Sequence, residues 1–364
     1  MPELKRPAAT DTTALMLAKR SRNELVATQP NDGALLQSGP PRTSNMDAPI
    51  MLLTGHEGEI YSSKFHPEGE FLASAGFDRQ ILFWKVYGEC ENFHVMSPTH
   101  GGAIVDLHFT HDGGHIFTAS TDKTVGMFDT VTCQRLKRLK GHTGYVNSCS
   151  PGPSKGAPLV ASASDDCSIK IWDTRHRGAV LSLNSTYQVT SVAFGDSSEQ
   201  IISGGIDNVV KVWDLRKTNS DGSKSSIGPN HKPVHELAGH TDTVTSLAIS
   251  PDGSYVLSNA MDNTLRVWDV RPFVTTDRCV KIITGHKHNF EKNLLHCAWS
   301  PDGAMVAAGS ADRFVYIWDT TSRKILYKLP GHLGSVNDVD FHKAEPIVLS
   351  AGSDKQIYLG EFEA

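Results

Sequence analysis

The chain is 364 residues long, with 39% hydrophobic and 21% charged residues and a formal net charge of −5. No run of about 18 apolar residues is present, which excludes a membrane-spanning helix, and the first twenty or so residues lack the apolar stretch of a secretory signal. Six cysteines (Cys90, Cys133, Cys149, Cys167, Cys279 and Cys297) show no Cys-x-x-Cys spacing, which argues for free thiols in a reducing compartment rather than a disulfide framework or a zinc site.

Residues 1–48 are rich in Pro, Ser, Thr, Ala and Gly with only a short helical period near residues 14–25, a composition that predicts a disordered tail. Two basic clusters lie in it, Lys5-Arg6 and Lys19-Arg20-Ser21-Arg22, twelve residues apart. That spacing fits a bipartite nuclear-import signal, and a solvated basic tail is the plainer alternative. The tail carries six basic and five acidic side chains, leaving about −6 for residues 49–364 by subtraction. A surface this acidic does not neutralise a phosphate backbone over its whole extent, so protein is the expected partner and any RNA contact local or indirect.

From Gly55 onward one pattern recurs. An apolar alternating stretch (60–65, 244–249) leads into a turn such as Ser250-Pro251-Asp252-Gly253 or Ser300-Pro301-Asp302-Gly303. There Pro presets one backbone angle and Gly accepts a positive one. A second stretch ends in small residues, and a tight turn follows with an aspartate: Asp78, Asp122, Asp166, Asp207, Asp262, Asp312 and Asp354. Six residues later stand Trp84, Phe128, Trp172, Trp213, Trp268, Trp318 and Gly360, and five of these precede another Asp. Gly-His opens the unit at 55–56, 141–142, 239–240, 285–286 and 331–332, while Asn184-Ser185 stands at that place in the fourth. A period in the forties running from Gly-His to Trp-Asp is the WD-repeat pattern. Seven repeats predict an all-β, seven-bladed WD-repeat β-propeller over residues 49–364, following a disordered N-terminal tail. The last repeat lacks room for a fourth strand, and residues 49–53 form a strand with no repeat of their own. This segment is predicted to close the last blade, removing two free sheet edges.

Two places depart from the period. The connection 217–233 is long and rich in Ser, Gly, Asn and Pro, and the sixth repeat carries extra residues, 288–293, after its Gly-His. Insertions of this kind are where repeat rings acquire specificity.

The sets His56/Ser74/Asp78, His142/Ser162/Asp166 and His240/Ser258/Asp262 have the composition of a hydrolase triad. They recur with the repeat, whereas a triad needs one asymmetric pocket. With Trp84, Trp172 and Trp268 they are read as internal polar networks that fix each blade. His286 and His288 lack the ligand count of a metal site. No phosphate-binding, dinucleotide or kinase motif is present, so no enzyme, cofactor or small-molecule substrate is expected. The residue before each repeated Asp belongs to the turn that opens, in such rings, on the narrow face around the channel. Phe77, Ile206 and Met261 are large and apolar there. With Tyr145 and Tyr187 they are the expected partner-binding residues.

Several stretches resemble one family beyond the generic repeat: 33–42 (GALLQSGPPR), 48–84, 186–189 (TYQV), 200–216, 258–273, 288–295 (HNFEKNLL) and 309–332. Together they are similar to the forty-kilodalton WD-repeat subunits of the spliceosomal U5 small nuclear ribonucleoprotein. The resemblance implies a nuclear, non-catalytic scaffold subunit of the U5 particle and tri-snRNP, serving pre-mRNA splicing. It implies docking on the large central spliceosomal scaffold protein, with a GTPase and a helicase in the same particle. The alternative is a substrate-recognition subunit of a ubiquitin ligase or another nuclear WD-repeat adaptor.

Overall fold

A computed structural model describes residues 44–153, 158–216, 232–275, 277–289 and 291–362. The import-signal residues Lys5, Arg6, Lys19, Arg20 and Arg22, and residues 217–231 of the long connection, lie outside them. Among the described residues every regular element is a strand, and the strands form seven four-stranded antiparallel sheets. Six sheets are built from consecutive segments in chain order, such as Ile60–Phe65, Phe71–Gly76, Ile81–Lys85 and Asn92–Met96 for blade 1. The seventh joins Val336–Phe341, Ile347–Gly352 and Gln356–Glu361 to Ile50–Thr54 from the other end of the chain. There Ile50 faces Gly360 and Thr54 faces Gln356.

The turn preceding each third strand explains the repeated aspartate. The residue after it is left-handed in all seven blades, with φ between 60° and 74° (Arg79, Lys123, Cys167, Asn208, Asn263, Arg313, Lys355). A non-glycine residue tolerates that region only with local support. The aspartate supplies it, as when Asp166 Oδ1 accepts the Ser168 N–H at 3.0 Å and Asp262 Oδ1 accepts that of Thr264 at 2.9 Å. At the opposite end of the blades, Gly253 (φ 69°) and Gly303 (φ 72°) complete the Pro-Asp-Gly turns.

The core is divided among the blade interfaces. Seven buried apolar clusters each combine residues of two neighbouring sheets. One unites Ala75 and Phe83 of blade 1 with Ile104 and Phe128 of blade 2, and another unites Leu53 and Leu359 of blade 7 with Ile60 and Trp84 of blade 1. Such interfaces stabilise the array only when every blade has both neighbours.

Side chains also bridge the inner strands, whose channel-facing edges would otherwise leave N–H groups unpaired. Leu107 N–H donates to Ser62 Oγ, Cys149 N–H to Asp106 Oδ2, Leu247 N–H to Ser191 Oγ and Ser63 N–H to Asp338 Oδ2, at 2.8 to 3.2 Å. In each case the acceptor belongs to the preceding blade.

The boundary of the propeller falls earlier than residue 49. Ser44 N–H donates to Glu361 Oε1 (2.9 Å), Asn45 Nδ2 donates to Glu345 Oε1 (2.6 Å), and Met46 is buried in the cluster between blades 7 and 1. Residues 44–48 therefore belong to the ring and not to the tail, because the polar anchors precede the first ladder pair.

Candidate partner-binding face

The Trp84 indole N–H donates to Ser74 Oγ (2.9 Å), the hydroxyl donates to His56 Nε2 (2.7 Å), and His56 Nδ1–H donates to Asp78 Oδ2 (2.6 Å). The same chain runs Trp172–Ser162–His142–Asp166 at 2.8, 2.7 and 2.8 Å and Trp268–Ser258–His240–Asp262 at 2.8, 2.6 and 2.9 Å. Ser74, Ser162 and Ser258 are fully buried. Each hydroxyl already accepts an indole N–H, so it has no open side for a substrate carbonyl, and the sets fit a structural role. Burial pushes the Asp166 carboxyl up, but hydrogen bonds from Ser168, the Thr143 N–H and His142 outweigh it and hold its pKa at about 2.

Four blades vary the theme. In blade 2, His100, which follows Thr99 rather than Gly, bonds Asp122 Oδ2 (3.0 Å) and Thr118 Oγ1 (2.7 Å). The Gly-His signal misses it, yet its 22-residue distance from the aspartate equals that of His56 from Asp78. Blade 7 keeps His332, Asp354 and Ser350. In blade 4 Lys211 replaces the histidine, with Nζ 2.5 Å from Asp207 Oδ2. Blade 6 departs from the expected His–Asp bond. His286 Nε2–H donates to Asn259 Oδ1 (2.9 Å) instead, and Asp312 takes the Tyr316 hydroxyl at 2.6 Å. The residue separation has grown to 26 from the usual 22 or 24, and blade 6 also lacks the serine, Ala308 standing in its place. His288 contacts the same Asn259 oxygen (3.3 Å).

At the narrow face, a second set of side chains links blade to blade. Asn147 Nδ2 donates to Val189 O (3.0 Å), Thr245 Oγ1 to Leu295 O (3.0 Å) and Asn337 Nδ2 to Ile60 O (2.7 Å). Blades 1 and 2 carry Tyr61 and Val105 at that position, and the polar girdle is interrupted. Beside them opens a cavity of about 450 Å³ lined by Tyr61, Phe77, Val105, Tyr145 and, from the end of the sixth-blade insertion and the residue after it, Asn293 and Leu294. Asn293 crosses to blade 7, donating to Ser335 Oγ (3.1 Å), which holds the insertion over the channel mouth. Tyr61 donates to Glu59 (3.1 Å); burial and then the Glu59 charge push its pKa up to about 12, so the phenol stays neutral.

Of the expected partner-binding residues, Phe77 and Tyr145 are exposed at 63% and 52% and share this cavity. Tyr187 and Ile206 are exposed but are not among its lining residues. Met261 differs from expectation: it is half-buried, and it also lies off the cavity. Tyr61, Val105 and Leu294 went unread in the sequence, since their convergence depends on packing between distant repeats.

Further down, all seven inner strands ring a second cavity of about 400 Å³ containing Lys64, Asp106, His108, His296 and Asp340. Lys64 Nζ lies 2.8 Å and His296 Nδ1 3.2 Å from Asp338 Oδ1. Burial raises the Asp338 carboxyl, but the Lys64 and His296 charges prevail and hold it well below the carboxylate range. Opposed charges here neutralise one another, and among the described residues no group of three or more His, Cys, Asp and Glu side chains is arranged to hold a metal.

Seven matches to the family "WD domain, G-beta repeat" cover residues 47–85, 92–129, 133–173, 177–214, 231–269, 277–319 and 323–359. Sheet order, repeated network and repeat matches define a seven-bladed WD-repeat β-propeller. The chain is 56% identical to the human U5 small nuclear ribonucleoprotein 40 kDa protein over 96% of both chains. It is 47% identical to the protein of that name in Dictyostelium discoideum, over 95% of this chain and 93% of the other. It is 40% identical to the pre-mRNA-splicing factor cwf17 of Schizosaccharomyces pombe, over 91% of each. Within the WD-repeat propellers the chain belongs to the family of the U5 small nuclear ribonucleoprotein 40 kDa protein.

Proposed function

We propose that this chain is a non-catalytic, nuclear scaffold subunit of the U5 particle and tri-snRNP in pre-mRNA splicing. It docks on the large central scaffold protein of the spliceosome, in company with the particle's GTPase and helicase. The observation that carries the reading is the similarity, over more than nine-tenths of both chains, to the U5 40 kDa protein and a pre-mRNA-splicing factor. The apolar channel mouth supplies a contact surface: Phe77 and Tyr145 are exposed aromatic side chains beside a cavity, the arrangement that concentrates binding energy at protein interfaces. RNA is secondary in this reading, because the ring as a whole is acidic.

The test is affinity capture of the tagged protein from nuclear extract, reading both proteins and small RNAs. The expected result is recovery of U5 RNA with the large scaffold protein, and a loss of more than tenfold for Phe77→Ala combined with Tyr145→Ala, since hot-spot aromatics contribute about 2 kcal/mol or more each. Recovery of a cullin-type ligase with no small nuclear RNA would instead make the chain a substrate adaptor. Undiminished capture by the double variant would move the contact off this face.

A further inference from the structure

The outer strand of blade 2, Arg135–Lys140 (RLKRLK), differs in charge from every other outer strand. It carries four cations in six residues. The outer strands of blades 1, 3, 4 and 7 (NFHVM, AVLSLN, HELA, IMLLT) carry no Lys or Arg, and those of blades 5 and 6 (CVKIIT, ILYKL) carry one each. Lysines on an edge strand can serve merely to discourage strand-to-strand association. Four of the six other edges of this ring carry none and two carry a single lysine, so that role does not account for the concentration here.

The charges are largely uncompensated. Arg138 pairs with Asp122 (2.6 Å), but Arg135 donates to the Thr99 carbonyl and Lys137 to the Thr174 carbonyl, which neutralise nothing. Lys140 is exposed and has no ion-pair partner among the described residues. The result is a cationic strip roughly 17 Å long, taking about 3.4 Å per strand residue, on a protein whose net charge is −5.

We propose that this strip is a sequence-independent contact for an RNA phosphate backbone. The choice of RNA rests in part on the splicing reading above, and in part on the chemistry of the strip. Protein interfaces are depleted of lysine at their centres and need an apolar anchor. Here Leu139 is buried and Leu136 is the one exposed apolar side chain of the strand. Phosphate recognition needs no such anchor, only cations in a row. The contact supplements protein docking, on an edge separate from the channel mouth.

The experiment uses the purified full chain and a fluorescein-labelled, uridine-rich single-stranded RNA, with anisotropy read from about 50 to about 200 mM salt. The variant is Arg135→Gln/Lys137→Gln/Lys140→Gln, which leaves the Arg138–Asp122 pair in place. Its expected binding is at least tenfold weaker at low salt, with a log–log salt slope shallower by about 2, at about 0.7 per lost phosphate contact. Arg135→Lys/Lys137→Arg/Lys140→Arg is expected to bind as the unaltered protein does, with the melting temperature of both variants confirming the fold. An unchanged slope in the neutralised variant overturns the proposal. So does a polyglutamate peptide that binds the strip as tightly as RNA does, which would reassign it to an acidic protein. Because no extract is involved, failure here is distinct from failure of the capture experiment.

Discussion

The repeated aspartate serves two neighbours at once, and its substitution should be costly where both are present. In blade 3, Asp166 Oδ2 accepts from His142 Nδ1 (2.8 Å) and the Thr143 N–H (3.0 Å), while Oδ1 supports the left-handed turn through Ser168. The carboxylate is 9% exposed, so water cannot replace it freely. Asp166→Ala is expected to destabilise by about 1–3 kcal/mol in chemical denaturation, the cost of leaving enclosed donors unpaired. Asp312→Ala should cost less, since Asp312 receives the Tyr316 hydroxyl and one turn N–H at 3.4 Å but no histidine. Equal losses at the two sites would show that the turn, not the histidine network, dominates. Much of this was legible because the residue types recur at fixed distances. His100 escaped a search for Gly-His, although the 22-residue interval to Asp122 marks it. The blade 6 exchange was less legible: the insertion is plain in the sequence, but that Tyr316 takes over the aspartate follows from a side chain two positions before Trp318 pointing back to the turn.

At the scale of elements, the strand Ile50–Thr54 is anchored by more than its ladder. Ser44 and Asn45 reach Glu361 and Glu345, and Met46 fills the seam between blades 7 and 1. Deleting residues 1–43 should leave the melting temperature unchanged, deleting 1–48 should lower it, and deleting 1–54 should lower it further or prevent folding. Identical melting curves for the first and third truncations would exclude this closure. The closing strand could be read from arithmetic, since one repeat was short by one strand and one strand had no repeat. Its polar preamble could not, because Ser44 and Asn45 acquire meaning only beside carboxylates some 300 residues away. The channel-mouth cavity was half legible for the same reason. Phe77 and Tyr145 announced themselves by size in a turn, whereas Tyr61 and Val105 matter because their neighbours in other blades are Asn147, Thr245 and Asn337.

For the whole molecule, the buried histidines set a pH dependence. Burial and then the neighbouring His288 depress His286 to about 3, and burial depresses His288 to about 4. Unfolded, both take a proton near 6.5, so the unfolded state binds more protons over the interval between. The stability these two histidines contribute is therefore complete above about pH 6.5 and falls as pH drops toward 4 and 3, with the lowered carboxyl of Asp166 adding to the loss nearer 2. Calorimetry from pH 7 to 4 should show a declining melting temperature, with a shallower slope for His286→Gln/His288→Gln; an unaltered slope would assign the decline to other groups. The same closed ring has a consequence for biosynthesis. Thr54 emerges from the ribosome some 300 residues ahead of its ladder partner Gln356. At about 5–20 residues per second that is a wait of roughly 15–60 s, during which Leu53 has no blade to enter and one face of blade 1 stays uncovered. A nascent chain of this design is a natural client for chaperones until its final strand appears. A premature stop that removes residues 356–361 would open the ring at both ends, since the first strand would lose its seat along with the last.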